Sequence, residues 1–196
     1  MTESTGARMA TTEAAVRYRI DTATSRFTVR AFATGLFSSL GHSPTLAVRE
    51  YSGEALFVPE RPEQSSIRIV AKADSLAVTD DVSDKDRSDI ETRSRQDVLE
   101  TASYPEIVFE SVQVAATKMG ESSLLAKVTG NLTLHGVTLP ETISAQVALT
   151  DDRLRAYGEF SIKQTSYGIK LVSVAGGTLK VKDEVKVAFD FSARRS

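Results

Sequence analysis

The chain has 196 residues, 41% of them hydrophobic and 26% charged, with a formal net charge of −2. That composition suits one globular domain with a real core, and no basic stripe marks a nucleic-acid binder. Cys and Trp are absent and only two His occur, which removes disulfides, Fe–S clusters, thiol catalysis and Cys-type zinc sites together.

Residues 1–16 read as a disordered leader, because Met1 to Ala15 is rich in Ser, Thr, Ala, Gly and Glu. It holds no apolar stretch of the length a signal peptide needs, so a cytoplasmic location is expected. No run of 18 apolar residues occurs, and no integral membrane segment is predicted. Residues 17–196 then form one domain.

The first strand places Tyr18 and Ile20, then Phe27, Val29 and Ala31, at alternating positions, with Asp21 to Ser25 bending the chain between the two pieces. Ala33 to Gly41 reads as a mobile loop or short helix in which Leu36, Phe37 and Leu40 lie close together. Leu46, Val48 and Tyr51 to Val58 continue the sheet until Pro59 and Pro62, which cannot donate to a ladder. Ile67, Ile69 and Ala71 then alternate with Arg68, Val70 and Lys72.

Ser83 to Leu99 is the one helical pattern. Ser83 with Asp86 three residues on resembles a capping box, and Asp84 and Asp86 suit the positive end of the helix dipole. Ile90, Val98 and Leu99 are its only large apolar residues. A helix this polar is expected across an opening or an edge rather than in the core. Tyr104-Pro105 closes it.

Five alternating stretches fill Ile107 to Phe191. Alternation slips near Ser111-Val112, where a bulge is expected. Leu124 to Leu134, Val137 to Leu149 and Leu154 to Ile162 each carry one apolar face, and Val185, Val187, Phe189 and Phe191 close the series. His135-Gly136 and Asp151-Asp152 read as hairpin turns, and Ala175-Gly176-Gly177 joins the last two strands.

About eight strands of this length, tilted and closed, make an all-β antiparallel barrel whose interior holds one small ligand. Small residues (Ala126, Gly130, Ala145, Ala156 and Gly158) recur on the apolar faces. They point to a cavity or, alternatively, to places where strands bend.

Tyr104-Pro-Glu-Ile-Val-Phe-Glu-Ser111 and Val128-Thr-Gly-Asn-Leu-Thr-Leu-His-Gly-Val-Thr-Leu-Pro140 resemble the YceI-like family of lipocalin-like proteins. Tyr18-Arg-Ile-Asp21, Ser25-Arg-Phe27, Gly53, Phe160-Ser-Ile162 and Tyr167-Gly-Ile169 fit the same pattern, so the likeness runs from about Tyr18 to Phe191. The resemblance implies an extended eight-stranded antiparallel barrel. It also implies an apolar chain in the lumen (a polyisoprenoid, isoprenoid quinone or fatty-acid amide), homodimers and no catalysis. One departure concerns the mouth: a His-Leu and an Asp-Phe-Phe-Asp-like stretch usual in the family is replaced here by Arg93-Ser-Arg-Gln-Asp-Val-Leu-Glu100.

Phe27, Phe37, Phe57, Phe109, Phe160 and Phe189 are expected to line the lumen or to fill its closed end. Ile69, Leu132, Leu134 and Ile162 share those inward faces, and Tyr167 is a further expected ligand contact. His42, in the loop after Phe37, is a candidate for a ligand head group at the mouth, with a surface histidine as the plain alternative. His135 is expected to hold its turn by a hydrogen bond. Two distant His without a third ligand predict no metal site. Asp80, Asp81, Asp84 and Asp86 lack calcium-loop spacing and read as a solvated helix start. No cofactor fingerprint occurs. The function expected is a carrier or sequestering protein for a long-chain apolar molecule, without a nucleic-acid partner. The competing reading is an enzyme acting on a bound apolar substrate, with Tyr167, His42 or an inward acid as proton donor.

Overall fold

The computed structural model describes residues 15–34, 43–174 and 179–196. Phe37 and His42, most of the loop containing them, and the Ala175-Gly176-Gly177 turn lie outside those residues.

The turn at Asp21 to Ser25 separates β1 (Val16–Ile20) from β2 (Arg26–Arg30). Asp21 makes the bend from its own atoms, its carboxylate accepting from Ala23 N and its carbonyl from Ser25 Oγ. Ala33–Thr34, expected in a loop or helix, form a short strand, β3, because their backbone finds a partner in a later segment. β4 (Thr45–Val48), β5 (Tyr51–Phe57), β6 (Ser66–Lys72) and β7 (Leu76–Val78) follow. α1 (Asp84–Arg93) starts at Ser83, whose Oγ accepts from Asp86 N at 3.1 Å, and runs into a π-helical turn over Ser94–Val98. The long strands are β8 (Glu106–Gly120), β9 (Ser123–Leu134), β10 (Val137–Leu149) and β11 (Arg153–Lys163). Between β11 and the last strand the described residues hold a 3-10 turn (Gln164–Tyr167), β12 (Ser173–Val174) and β13 (Leu179–Val181), with β13 paired to both β12 and β3, before β14 (Glu184–Arg195).

Neighbouring strands run β1-β5-β6-β8-β9-β10-β11-β14, and β14 also pairs with β1, so the sheet closes into an eight-stranded antiparallel barrel. Closure at β1 occupies only one end, where Tyr18 to Ile20 meet Ala193 to Arg195. At the other end β14 pairs instead with β2, and the sheet continues through β4 to β7. The wall therefore parts at this second end, and α1 lies against the free edge of β7. Glu91 Oε1 accepts from Val78 N at 2.9 Å, while Arg87 donates to the carbonyls of Val78 and Asp80. Side chains of a polar helix thus satisfy the edge groups that another strand would take.

The bulge falls where the alternation slips. Ser111 pairs with Gly130 and Gln113 with Thr129, leaving Val112 unpaired and 66% exposed. One extra residue exchanges the parity of the strand. Ile107 and Phe109 face inward before it, Val114 and Ala116 after it, and all four line the interior.

Candidate binding cavity

The barrel is not packed solid. At the α1 end lies a cavity of about 460 Å³, and towards the β1 end a second of about 170 Å³. Phe27, Ala71, Ile107, Leu132 and Phe160 line both, so the two chambers meet at a waist built from five strands. Phe27 is held there by edge-on packing against Tyr51 and Phe191, with ring centroids 5.5 and 5.4 Å apart.

Size is governed by the small residues, in two different ways. Ala126, Ala145 and Ala156 line the inner chamber and leave it room. The glycines do the opposite. A Cβ on Gly130 would come 2.6 Å from Phe109 Cζ, and one on Gly158 would come 3.0 Å from Phe189 Cζ, so each glycine is a seat for a cross-strand phenyl ring. The sequence pattern alone does not separate seats from space, because both call for a small residue on the inward face.

Among the expected contacts, Phe57, Ile69, Phe109 and Phe189 line the inner chamber, Leu134 and Ile162 the outer one, and Phe27, Leu132 and Phe160 the waist. Tyr167 lines neither chamber. β10 and β11 pair only over Gln146 to Leu149 with Leu154 to Tyr157 and then separate, and Tyr167 fills the gap, fully buried. Its hydroxyl donates to Glu141 Oε1 at 2.8 Å; burial first, and the carboxylate second, push the phenol above its ordinary pKa.

His135 keeps its expected turn role and adds a clasp. It and Gly136 both have positive φ, 50° and 74°, the geometry of a two-residue hairpin turn. His135 Nδ1 faces the Tyr167 carbonyl at 3.2 Å and Nε2 faces Glu100 Oε2 at 2.6 Å. Tyr104 packs on the imidazole with centroids 4.4 Å apart, and a Cβ on Gly136 would meet that ring at 2.6 Å. The Tyr-Pro and Leu-His-Gly strings are therefore two sides of one contact.

Sequence reading missed the polar residues of the outer chamber. Asp86, Asp89, Arg93 and Ser94 face it from α1 and the π-helical turn, Lys180 from β13 and Gln164 from the 3-10 turn. The signal available was the separation of four residues between Asp89 and Arg93, one helical turn apart. No such signal existed for Gln164, which lies in an irregular stretch. Among the described residues no group of three or more His, Asp or Glu is placed to hold a metal ion.

A YceI-like domain model matches residues 18–193, nearly the whole barrel. The chain belongs to the YceI-like domain family. Curated relatives of this YceI-like protein include a UPF0312 protein of Pseudomonas syringae pv. syringae, 38% identical over 116 residues, 59% of this chain and 55% of the relative. One of Pseudomonas putida strain W619 is 34% identical over 132 residues, 67% of this chain and 62% of the relative. The chain thus spans little more than half the length of the curated relatives it matches. Among solved structures, Burkholderia cenocepacia BcnA aligns with a TM-score of 0.66 at 21% identity, covering 88% of this chain and 98% of that one. A polyisoprenoid binding domain from Saccharophagus degradans aligns at 0.65 and 18% identity, covering 92% and 99%. At such identities these likenesses establish the barrel fold alone.

Proposed function

We propose that this YceI-like protein binds a long-chain apolar molecule of the polyisoprenoid, isoprenoid quinone or fatty-acid amide type in the barrel, as a carrier or sequestering protein. The observation that carries the reading is the pair of chambers meeting at an apolar waist. The walls from Phe27 to Phe191 are hydrocarbon except at the α1 end and at Ser65 and Ser66, so the interior is suited to excluding water rather than to moving protons. Affinity then follows from area: each Å² of apolar ligand surface removed from water contributes about 25 cal/mol, less the cost of ordering a flexible chain. A volume of about 460 Å³ falls within the range of enclosed small-molecule sites. The name of the Saccharophagus domain agrees with this reading.

The test is native mass spectrometry of the full chain, followed by solvent extraction and identification of the released molecule. The expected result is a stoichiometric apolar adduct that extraction removes. A chain that remains adduct-free after incubation with long-chain lipids counts against the reading.

A further inference from the structure

We propose that the outer chamber selects amphiphiles whose polar end donates a hydrogen bond, an alcohol or an N–H amide, and that Gln164 is the acceptor. The inference rests on the binding function proposed above. Apart from tyrosines, Gln164 is the one buried polar side chain among the described residues, 7% exposed, and it lines the outer chamber amid Ile162, Ile169 and Val185. Its amide cannot be turned around: Nε2 donates to the Lys182 carbonyl at 2.9 Å, and a carbonyl accepts only from the nitrogen. Oε1 is left with no donor among the described hydrogen bonds. Gln164 faces the chamber, where its amide oxygen can take a hydrogen bond from a ligand donor in place of water.

The residue is held rigidly enough to select. Its N–H donates to the Asp183 carbonyl at 2.9 Å, and its own carbonyl accepts from Ile169 N at 3.2 Å. Asp183 in turn accepts from Thr165 N and Oγ1, at 2.8 and 2.7 Å, fixing the next residue of the turn. A lone-pair acceptor attracts O–H and N–H and repels an anionic oxygen, so a hydrocarbon, an ether or an anionic head group gains nothing from this position. Asp86, Asp89, Arg93 and Lys180 supply both signs around the same chamber and favour a neutral head over an ion.

The test compares hexadecanol with its methyl ether, which keeps the chain and the oxygen but loses the donor. Both are titrated into delipidated full chain and into Gln164→Leu. The wild type is expected to bind the alcohol about three- to tenfold more tightly than the ether, as one net hydrogen bond supplies. Gln164→Leu is expected to bind both with the affinity of the wild type for the ether. Equal binding of the two by the wild type overturns the role of Gln164 and leaves the apolar cavity standing; this arm needs no variant to fold. A Gln164→Leu chain that keeps the preference overturns it as well. Failure of the wild type to bind either probe overturns the selection and the binding function together.

Discussion

Tyr167 sits where β10 and β11 separate, and its phenol is held protonated by burial and by the Glu141 carboxylate beside it. Its pKa is raised from an ordinary 10.0, so the unfolded chain releases this proton first as pH rises. The stabilisation is therefore complete below about pH 10 and declines above it. Tyr167→Phe is expected to cost about 1.5–3 kcal/mol near neutral pH, the range for hydrogen bonds to charged groups. Its stability should also fall less steeply than that of the wild type above about pH 10. Urea unfolding of both proteins on either side of that pH checks this, and parallel slopes would contradict it. Gly130 makes a second case. A methyl group there meets Phe109 Cζ at 2.6 Å and the Glu110 carbonyl oxygen at 2.5 Å, and backbone cannot step aside. Gly130→Ala is expected to lose about 1–3 kcal/mol by overpacking, read as a lower urea midpoint. An unchanged midpoint would show that the ring is not seated on the glycine.

At the scale of elements, alternation made the long strands, the bulge at Val112 and the His135-Gly136 hairpin legible, since each is a local rule of parity or backbone sign. Deletion of Val112 tests the parity argument. It places Gln113 directly after Ser111, in step with Thr129 and Gly130 on β9, so Val114 and Ala116 stay inward. The expected result is that cooperative unfolding is kept in a scan, and its loss would contradict the argument. Elements held by distant partners were not legible. β3 forms because β13 is there, and the 3-10 turn carrying Gln164 has no period to read. The helix was legible as polar and capped, yet its attachment was not, because Glu91 and Arg87 act on the backbone of β7 rather than on side chains. Glu91→Ala leaves the Val78 N–H without its partner and is expected to loosen α1 by about 1–3 kcal/mol. Amide exchange should rise in α1 and β7 while β9 and β10 keep their protection; uniform exchange across the barrel would contradict a local attachment.

For the molecule as a whole, the exterior and interior do different work. Pairs such as Arg68–Glu110, Lys72–Glu106 and Arg155–Asp190 cross neighbouring strands on the solvent side, at 2.6, 2.6 and 2.7 Å, and exposed pairs of this kind contribute little each. The inner faces meet around two chambers instead of a filled core, which follows from the cross-strand row of Ala116, Ala126 and Ala145 and from a wall that parts at the α1 end. The central claim is that this interior, and not the charged surface, holds the ligand. Bound apolar mass retained by Phe109→Asp, Leu132→Asp and Lys163→Ala, measured side by side with the wild type by native mass spectrometry, tests it most directly. Phe109 and Leu132 are buried at the inner chamber and the waist, and Lys163 is exposed. The account predicts that the two aspartate variants, where folded by circular dichroism, lose the adduct and that Lys163→Ala keeps it; equal retention by all three would contradict it.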